Sequence, residues 1–413
     1  MTTVGPNLAS TNQERKLHAG FWIVAYAFLI VMAFATLPSP LYGLYRTRDH
    51  LSAFMITVIY AIFAGGTIAA LLETSSIAAR IGRRGVMLSA VATLMVAAGL
   101  LAAWKALLGL LIGRLITGVS VGLAAGTAIT YLIELRLRSD PKASIVPART
   151  IGTSITVGAL GVGPLLAGLL AQWGTLQLTL PYLVIVVLGA IAFVGLWAVP
   201  ETGTPTLHPT TTKQPSGSRS ARLPVPAAAG TLAAFSANGL FAGLSGLFLA
   251  TTLHRPSHAL SGATLFLVFS CGVVSQLVTA KLKAPRVLAI GTLSMLAGLA
   301  LLVVAVRLST PDLALFLVGG ALIGAGSGAV FKGTTGIVLE ASAPPNRLAM
   351  TSDLLITLYV GLSVPVVGAG IALDQGASAP NTVLWFAVLV GLGVSVSGWA
   401  MLGRRPRGSE RRV

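Results

Sequence analysis

Apolar runs long enough to cross a lipid bilayer recur along the whole of this chain, beginning with "GFWIVAYAFLIVMAFATLP" at 20–38. A hydrocarbon core about 30 Å thick needs about 20 apolar residues per helical crossing. No water is available there to satisfy the backbone, so open sheets and lipid-exposed loops are excluded and helices remain. Runs of this kind lie near 19–40, 52–73, 86–104, 106–133, 150–171 and 179–199, then near 227–252, 259–280, 287–306, 312–337, 350–373 and 381–402. That makes twelve predicted crossings. Charged residues make up only 9% of the chain, whereas a soluble domain carries roughly a quarter.

Charge placement orients these crossings. With the amino terminus inside, the inner segments hold Arg15 and Lys16, then Arg80, Arg83 and Arg84, then Arg136, Arg138, Lys142 and Arg149. Further along they hold Lys213, Arg219 and Arg222, then Lys281, Lys283 and Arg286, Arg347, and the arginines of the tail. The outer segments hold only Arg46, Arg48, Lys105, Arg255 and Arg307. Moving the count by one crossing would reverse the side of every later loop and destroy this bias, which is the positive-inside rule. The expectation is a multi-pass protein of the cell's inner, cytoplasmic membrane with both termini cytoplasmic. The net charge of +17 then reflects basic loops facing anionic lipid headgroups. Nucleic acid is excluded as a partner, because short basic loops offer no aromatic-lined polar domain.

Enzyme chemistry finds little to stand on. Neither H-E-x-x-H nor G-x-S-x-G occurs, no phosphate-cradling loop or metal-ligating cluster is visible, and the five histidines lie outside the spans. Cys271 is the single cysteine and has no partner for a disulfide. The polar start "MTTVGPNLASTNQERKLHAG" precedes a full-length span and does not read as a cleaved signal peptide.

The chain repeats itself. At an offset of 206, 113–134 lies over 319–340 and matches Gly113 to Gly319, Gly118 to Gly324, Gly122 to Gly328 and Glu134 to Glu340. At an offset of 201, 79–88 lies over 280–289 and Pro164 lies over Pro365. A six-helix unit therefore occurs twice in one orientation. The division is a bundle over 1–200, a Pro-, Ser- and Thr-rich cytoplasmic linker over 201–226, and a second bundle with a basic tail over 227–413. Duplicated bundles around a midplane site are the architecture of secondary transporters.

Four short stretches sharpen this reading. "SSIAARIGRR" (75–84) follows the pattern G-x-L-A-D-R-x-G-R-R/K at Arg80, Gly82, Arg83 and Arg84, with Ser75 and Ala79 in place of the first Gly and the Asp. "GRLITGVSVG" (113–122) lies in span four, "GALGVGPLLAG" (158–168) lies in span five, and "VPET" (199–202) ends span six. On these residues the sequence resembles the major facilitator superfamily, over essentially its whole length. The resemblance implies an all-α membrane protein with twelve helices in two six-helix bundles related by pseudo-two-fold symmetry. It implies secondary active transport by alternating access, with a membrane lipid surround, a small-molecule substrate, no cofactor, and a single copy as the working unit.

The resemblance also assigns roles. The 75–84 loop would latch the cytoplasmic side, with Glu73, Glu134 and Asp353 as candidate anions for Arg80 and Arg84. Such pairs contribute about 0–1 kcal/mol when exposed, enough to bias a gate that must reopen. Gly158, Gly161, Gly163, Pro164 and Gly168 resemble the antiporter motif, which in the family marks exporters that exchange substrate for protons. The proton gradient would then supply the energy.

Proton coupling needs a buried titratable group; Asp353 and Glu73 are the buried candidates, and Asp353 is the one taken as the coupling site. Lys332 lies at a similar depth, so the two could form a switch or a static pair. Arg114, Tyr26, Asn238, Gln276, Lys332 and Tyr359 are polar or aromatic residues well inside spans and form the candidate substrate cavity. Arg114 either faces a wet cavity or snorkels outward. The favoured function is proton-coupled efflux of a small organic molecule or drug. Uptake or facilitated passage of a sugar or other small metabolite, and a non-transporting sensor derived from a transporter, remain the alternatives.

Overall fold

The computed structural model describes residues 8–202, 223–343 and 346–403. Among them the secondary structure is helical: α1 (Leu8–Thr36), a 3-10 turn (Ser39–Leu41), α2 (Tyr42–Asp49), α3 (Ala53–Ala103), α4 (Leu107–Ser139), α5 (Val146–Trp173) and α6 (Leu180–Trp197). Then follow α7 (Val225–Thr251), α8 (His258–Val278), α9 (Ala284–Arg307), α10 (Leu313–Ala341), α11 (Arg347–Asp374) and α12 (Ala379–Leu402). Eleven stretches of the described residues are long and apolar enough to cross a membrane. One of them, α3, has 51 residues. At 1.5 Å per residue it would run roughly 76 Å, far beyond one crossing.

Gly82 divides α3. Its φ of 76° and ψ of 173° are non-helical, so the arms 53–81 and 83–103 are the second and third crossings and the total is twelve. The sequence predicts a loop there. Instead the helix runs up to one residue and restarts immediately after it, because glycine alone adopts this backbone region without strain.

Contacts group the chain into two compact units. One comprises Met1–Ser218 with Ala242–Phe269; the other comprises Arg219–Phe241 with Ser270–Val413. The expected linker falls largely on 203–222, which lie outside the described residues. The stretch 242–269 joins the first unit because α5 seats closely on it. A side chain at Gly161 would meet Phe266, one at Gly168 would meet the His258 carbonyl, and Gly262 lies on the Pro164 carbonyl.

The repeat seen in the sequence reappears as repeated contacts. In the first unit Gly122 lies on the carbonyl of Thr67; in the second Gly328 lies on the carbonyl of Gly272. Pro164 sits inside α5 and Pro365 inside α11. Small residues at these crossings let backbones approach, which is how helices associate where lipid removes the hydrophobic drive.

All six tryptophans (Trp22, Trp104, Trp173, Trp197, Trp385 and Trp399) are exposed. Four of them stand within a few residues of a helix end, Trp22 stands at the start of the apolar run within α1, and Trp385 stands in the second turn of α12. Indoles placed this way form the belts that mark the bilayer interface.

Candidate functional site

The break at Gly82 creates a helix start at Arg83, whose first amides have no partner within the helix. Glu201 supplies one. Arg83 N donates to Glu201 Oε1 at 2.8 Å and Arg84 N to Oε2 at 3.0 Å. A carboxylate at this end also meets the positive pole of the helix dipole. A Cβ on Gly82 would collide with that carboxylate, so the glycine is required by both the backbone and the neighbour.

The segment carrying Glu201 is gripped from several helices. Arg138, in the last turn of α4, donates to the Glu201 and Thr202 carbonyls at 2.8 and 2.6 Å. Tyr131 donates to the Pro200 carbonyl at 2.8 Å. Arg84 lies over the Trp197 ring, 5.7 Å from its centroid, and reaches the Trp197 and Val199 carbonyls at 3.4 Å. Thr202 donates its hydroxyl to Glu134, whose other oxygen lies 3.5 Å from Arg83 Nε.

This corrects the expected latch. The anions at the arginine cluster are Glu201 and Glu134. Glu73 and Arg80 are both exposed, and neither makes a hydrogen bond or ion pair among the described residues. Asp353 is half-buried in α11 and its carboxylate forms no ion pair among those residues. The physical reason is the break itself: two unpaired amides aimed at one point hold a carboxylate better than flexible surface arginines do.

Arg114 is 1% exposed, so it neither snorkels nor faces open solvent. Its guanidinium donates to the carbonyls of Ala35 at 2.6 Å, Tyr60 at 3.3 Å and Ile59 at 3.4 Å, and lies 4.7 Å from the Phe63 ring centroid. Ala35 sits in the last turn of α1, where carbonyls lack intrahelical partners. Arg114 thereby ties α4 to the end of α1 and to α3. Tyr26, half-buried in α1, donates to the Leu188 carbonyl in α6 at 3.3 Å.

The other candidates lie in the second unit. Asn238 donates to Ser327 at 2.9 Å, and both are buried. Tyr359 is buried in α11. Lys332 and Gln276 are brought together: Lys332 Nζ donates to the Gln276 carbonyl at 2.6 Å and approaches Thr279 Oγ1 at 3.3 Å. The expected pairing of Lys332 with Asp353 is absent, since the ammonium is already held by α8. The Gln276 side-chain amide nitrogen is buried without a partner among the described residues.

In α5, Pro164 has no amide hydrogen to give the Leu160 carbonyl. Thr36 of α1 donates its hydroxyl there instead, at 2.5 Å. Gly163 lies on the Ala33 carbonyl, and Gly158 is half-buried. The motif residues thus seat α5 on α1 and on 258–269. Sequence reasoning quoted "VPET" but gave Glu201 no role; the signal was an acid directly after a predicted span.

The crystal structure of a mutant of the nucleoside transporter NupG is similar to this chain, with a TM-score of 0.65 and 10% identity, covering 93% of this chain and 99% of that one. At that identity the likeness speaks for the fold alone. Among curated proteins no sequence matches. The model of the Major Facilitator Superfamily matches residues 24–283, more than half of the 413 residues. Twelve helical crossings, a duplicated bundle and this match place the chain in one group: it belongs to the Major Facilitator Superfamily and is a membrane transporter rather than an enzyme.

Proposed function

We propose that this transporter exports a small organic molecule in exchange for protons, by alternating access, as a single copy in the inner membrane with both termini cytoplasmic. The observation that carries the reading is the seating of α5. Its Gly-Pro motif is held by the Thr36 hydroxyl and lies on backbone of α1 and 258–269. A helix that lacks one internal hydrogen bond at a proline and packs through glycines can change its angle without losing its neighbours. Asp353, half-buried without an ion pair among the described residues, is the proposed proton carrier. The unpartnered Gln276 amide and Lys332 beside it are the proposed polar contacts for cargo.

Uptake is the second reading, favoured by the likeness in fold to a nucleoside transporter. One experiment separates them. Cells with and without the protein are given a panel of dyes, antibiotics, sugars and nucleosides, with the proton gradient intact or collapsed. Export predicts lower accumulation of at least one compound in expressing cells, and loss of that difference on collapse. Higher accumulation in expressing cells would give the uptake reading instead. Gradient dependence unchanged in Asp353→Asn would exclude that residue as the proton carrier.

A further inference from the structure

Gln172, the penultimate residue of α5, serves the start of another helix. Its side-chain oxygen accepts the Ser257 hydroxyl at 3.1 Å and the His258 amide at 3.0 Å, and lies 3.5 Å from the Ala259 amide. These are the first amides of α8, which have no partner inside it. Beside them the His258 ring donates from Nδ1 to the Pro40 carbonyl, which can only accept, at 3.2 Å. Pro40 lies in the 3-10 turn after α1, so both bonds tie the start of α8 to the first six-helix repeat. With the termini cytoplasmic, all three residues stand at the outer ends of the spans.

The contact is built to be reversible. The Ser257 hydroxyl oxygen accepts the Leu260 amide at 3.2 Å, so α8 keeps a cap of its own when Gln172 departs. Gln172 is exposed and its partners are half-buried, which lets water replace each bond at small net cost. The connection between α7 and α8 also holds itself together. Leu253 N donates to the Phe248 carbonyl at 3.0 Å and Arg255 N to the Leu249 carbonyl at 2.7 Å, so the outer hairpin moves as one piece. That hairpin, 242–269, groups with the first unit, while the remainder of α7 and of α8 groups with the second.

We propose that the 242–269 hairpin is an outer gate, latched by Gln172 on the start of α8 and by His258 on Pro40. When the gate is shut, Gln172 and Ser257 share the first amides of α8; when it opens, Ser257 caps the helix alone. The inference rests on alternating access and holds for export and uptake alike.

The test follows a buried thiol. In a Cys271→Ser background, Leu265→Cys places a thiol at a fully buried position of the hairpin, and Leu94→Cys places one at a fully buried position of α3. The detergent-solubilised full chain is reacted with a fluorescent maleimide. Gln172→Ala should speed labelling of Leu265→Cys about threefold or more, as the net loss of one hydrogen bond does, and leave Leu94→Cys unchanged. Gln172→Glu should slow labelling of Leu265→Cys, because a carboxylate holds helix-start amides more tightly than a carboxamide. His258→Phe keeps a ring without the donor and should speed it by a smaller factor. An unchanged Leu265→Cys rate in Gln172→Ala, equal acceleration at both thiols, or faster labelling in Gln172→Glu would each overturn the gate. Labelling needs no cargo, so its outcome is separate from that of the transport panel.

Discussion

Glu201 lies across the point where Gly82 interrupts α3, and its two oxygens accept the amides of Arg83 and Arg84. The relationship joins two stretches 118 residues apart through backbone, so it does not depend on the exposed arginine side chains. Ion pairs at an exposed surface contribute about 0–1 kcal/mol, whereas removing a capping acceptor costs about 0.5–2 kcal/mol. Glu201→Ala should therefore lower the thermal unfolding midpoint more than Arg80→Ala does. Gly82→Ala should be worse still, since a non-glycine residue in that backbone region costs about 1–3 kcal/mol and the methyl group meets the carboxylate. Equal midpoints for Arg80→Ala and Glu201→Ala would contradict this ordering.

Thr36 and Pro164 form a second testable pair. Buried hydrogen bonds between membrane helices average about 0.6 kcal/mol and reach about 1.7, so Thr36→Val should destabilise by that order. In a Pro164→Ala background the new Ala amide can reach the Leu160 carbonyl, and the cost of Thr36→Val should shrink toward zero. A double-mutant cycle of unfolding free energies in detergent reads the coupling directly. Additive effects would mean that the hydroxyl does not serve the carbonyl that Pro164 leaves without an amide.

For Arg114 the expectation is a stability effect first. Hydrogen bonds to a charged group contribute about 1.5–3 kcal/mol each, and Arg114→Ala removes donors to three carbonyls. Yield of folded protein and the unfolding midpoint should both fall. Arg114→Lys should restore only part, because an ammonium cannot span the Ala35 and Tyr60 carbonyls as a guanidinium does. Full stability in Arg114→Ala would leave a cargo contact as its role.

Lys332 and Asp353 should act independently. Lys332→Met removes the bond to the Gln276 carbonyl, while Asp353→Asn removes a carboxylate that Lys332 does not touch. Sites without shared partners add within about 0.3–0.5 kcal/mol. An interaction energy above about 1 kcal/mol in the double mutant would restore the Lys-Asp pair as a working unit.

Much of this architecture was legible from the length of apolar runs, because the bilayer thickness acts as a ruler on the sequence. Spans at 150–171 and 312–337 became α5 (Val146–Trp173) and α10 (Leu313–Ala341), each helix running about one turn past the expected span through a charged residue, Arg149 or Glu340. The continuity of α3 was hidden. A Gly among three arginines reads as a loop, and only the acid at 201 tells the helix where to resume. Glu73 illustrates the reverse error: its position in a predicted span suggested burial, but its place on the helix surface exposes it. Sequence spacing told depth along each helix well. It did not tell which face a side chain occupies in helices that are apolar all round.

The rim placement of every indole has a spectroscopic consequence. Tryptophan emission from this chain samples headgroups and lipid rather than the protein's interior, so brominated lipids should quench nearly all of it. A cargo molecule entering among the buried residues would leave that signal almost untouched, and its arrival has to be watched through a tryptophan introduced inside.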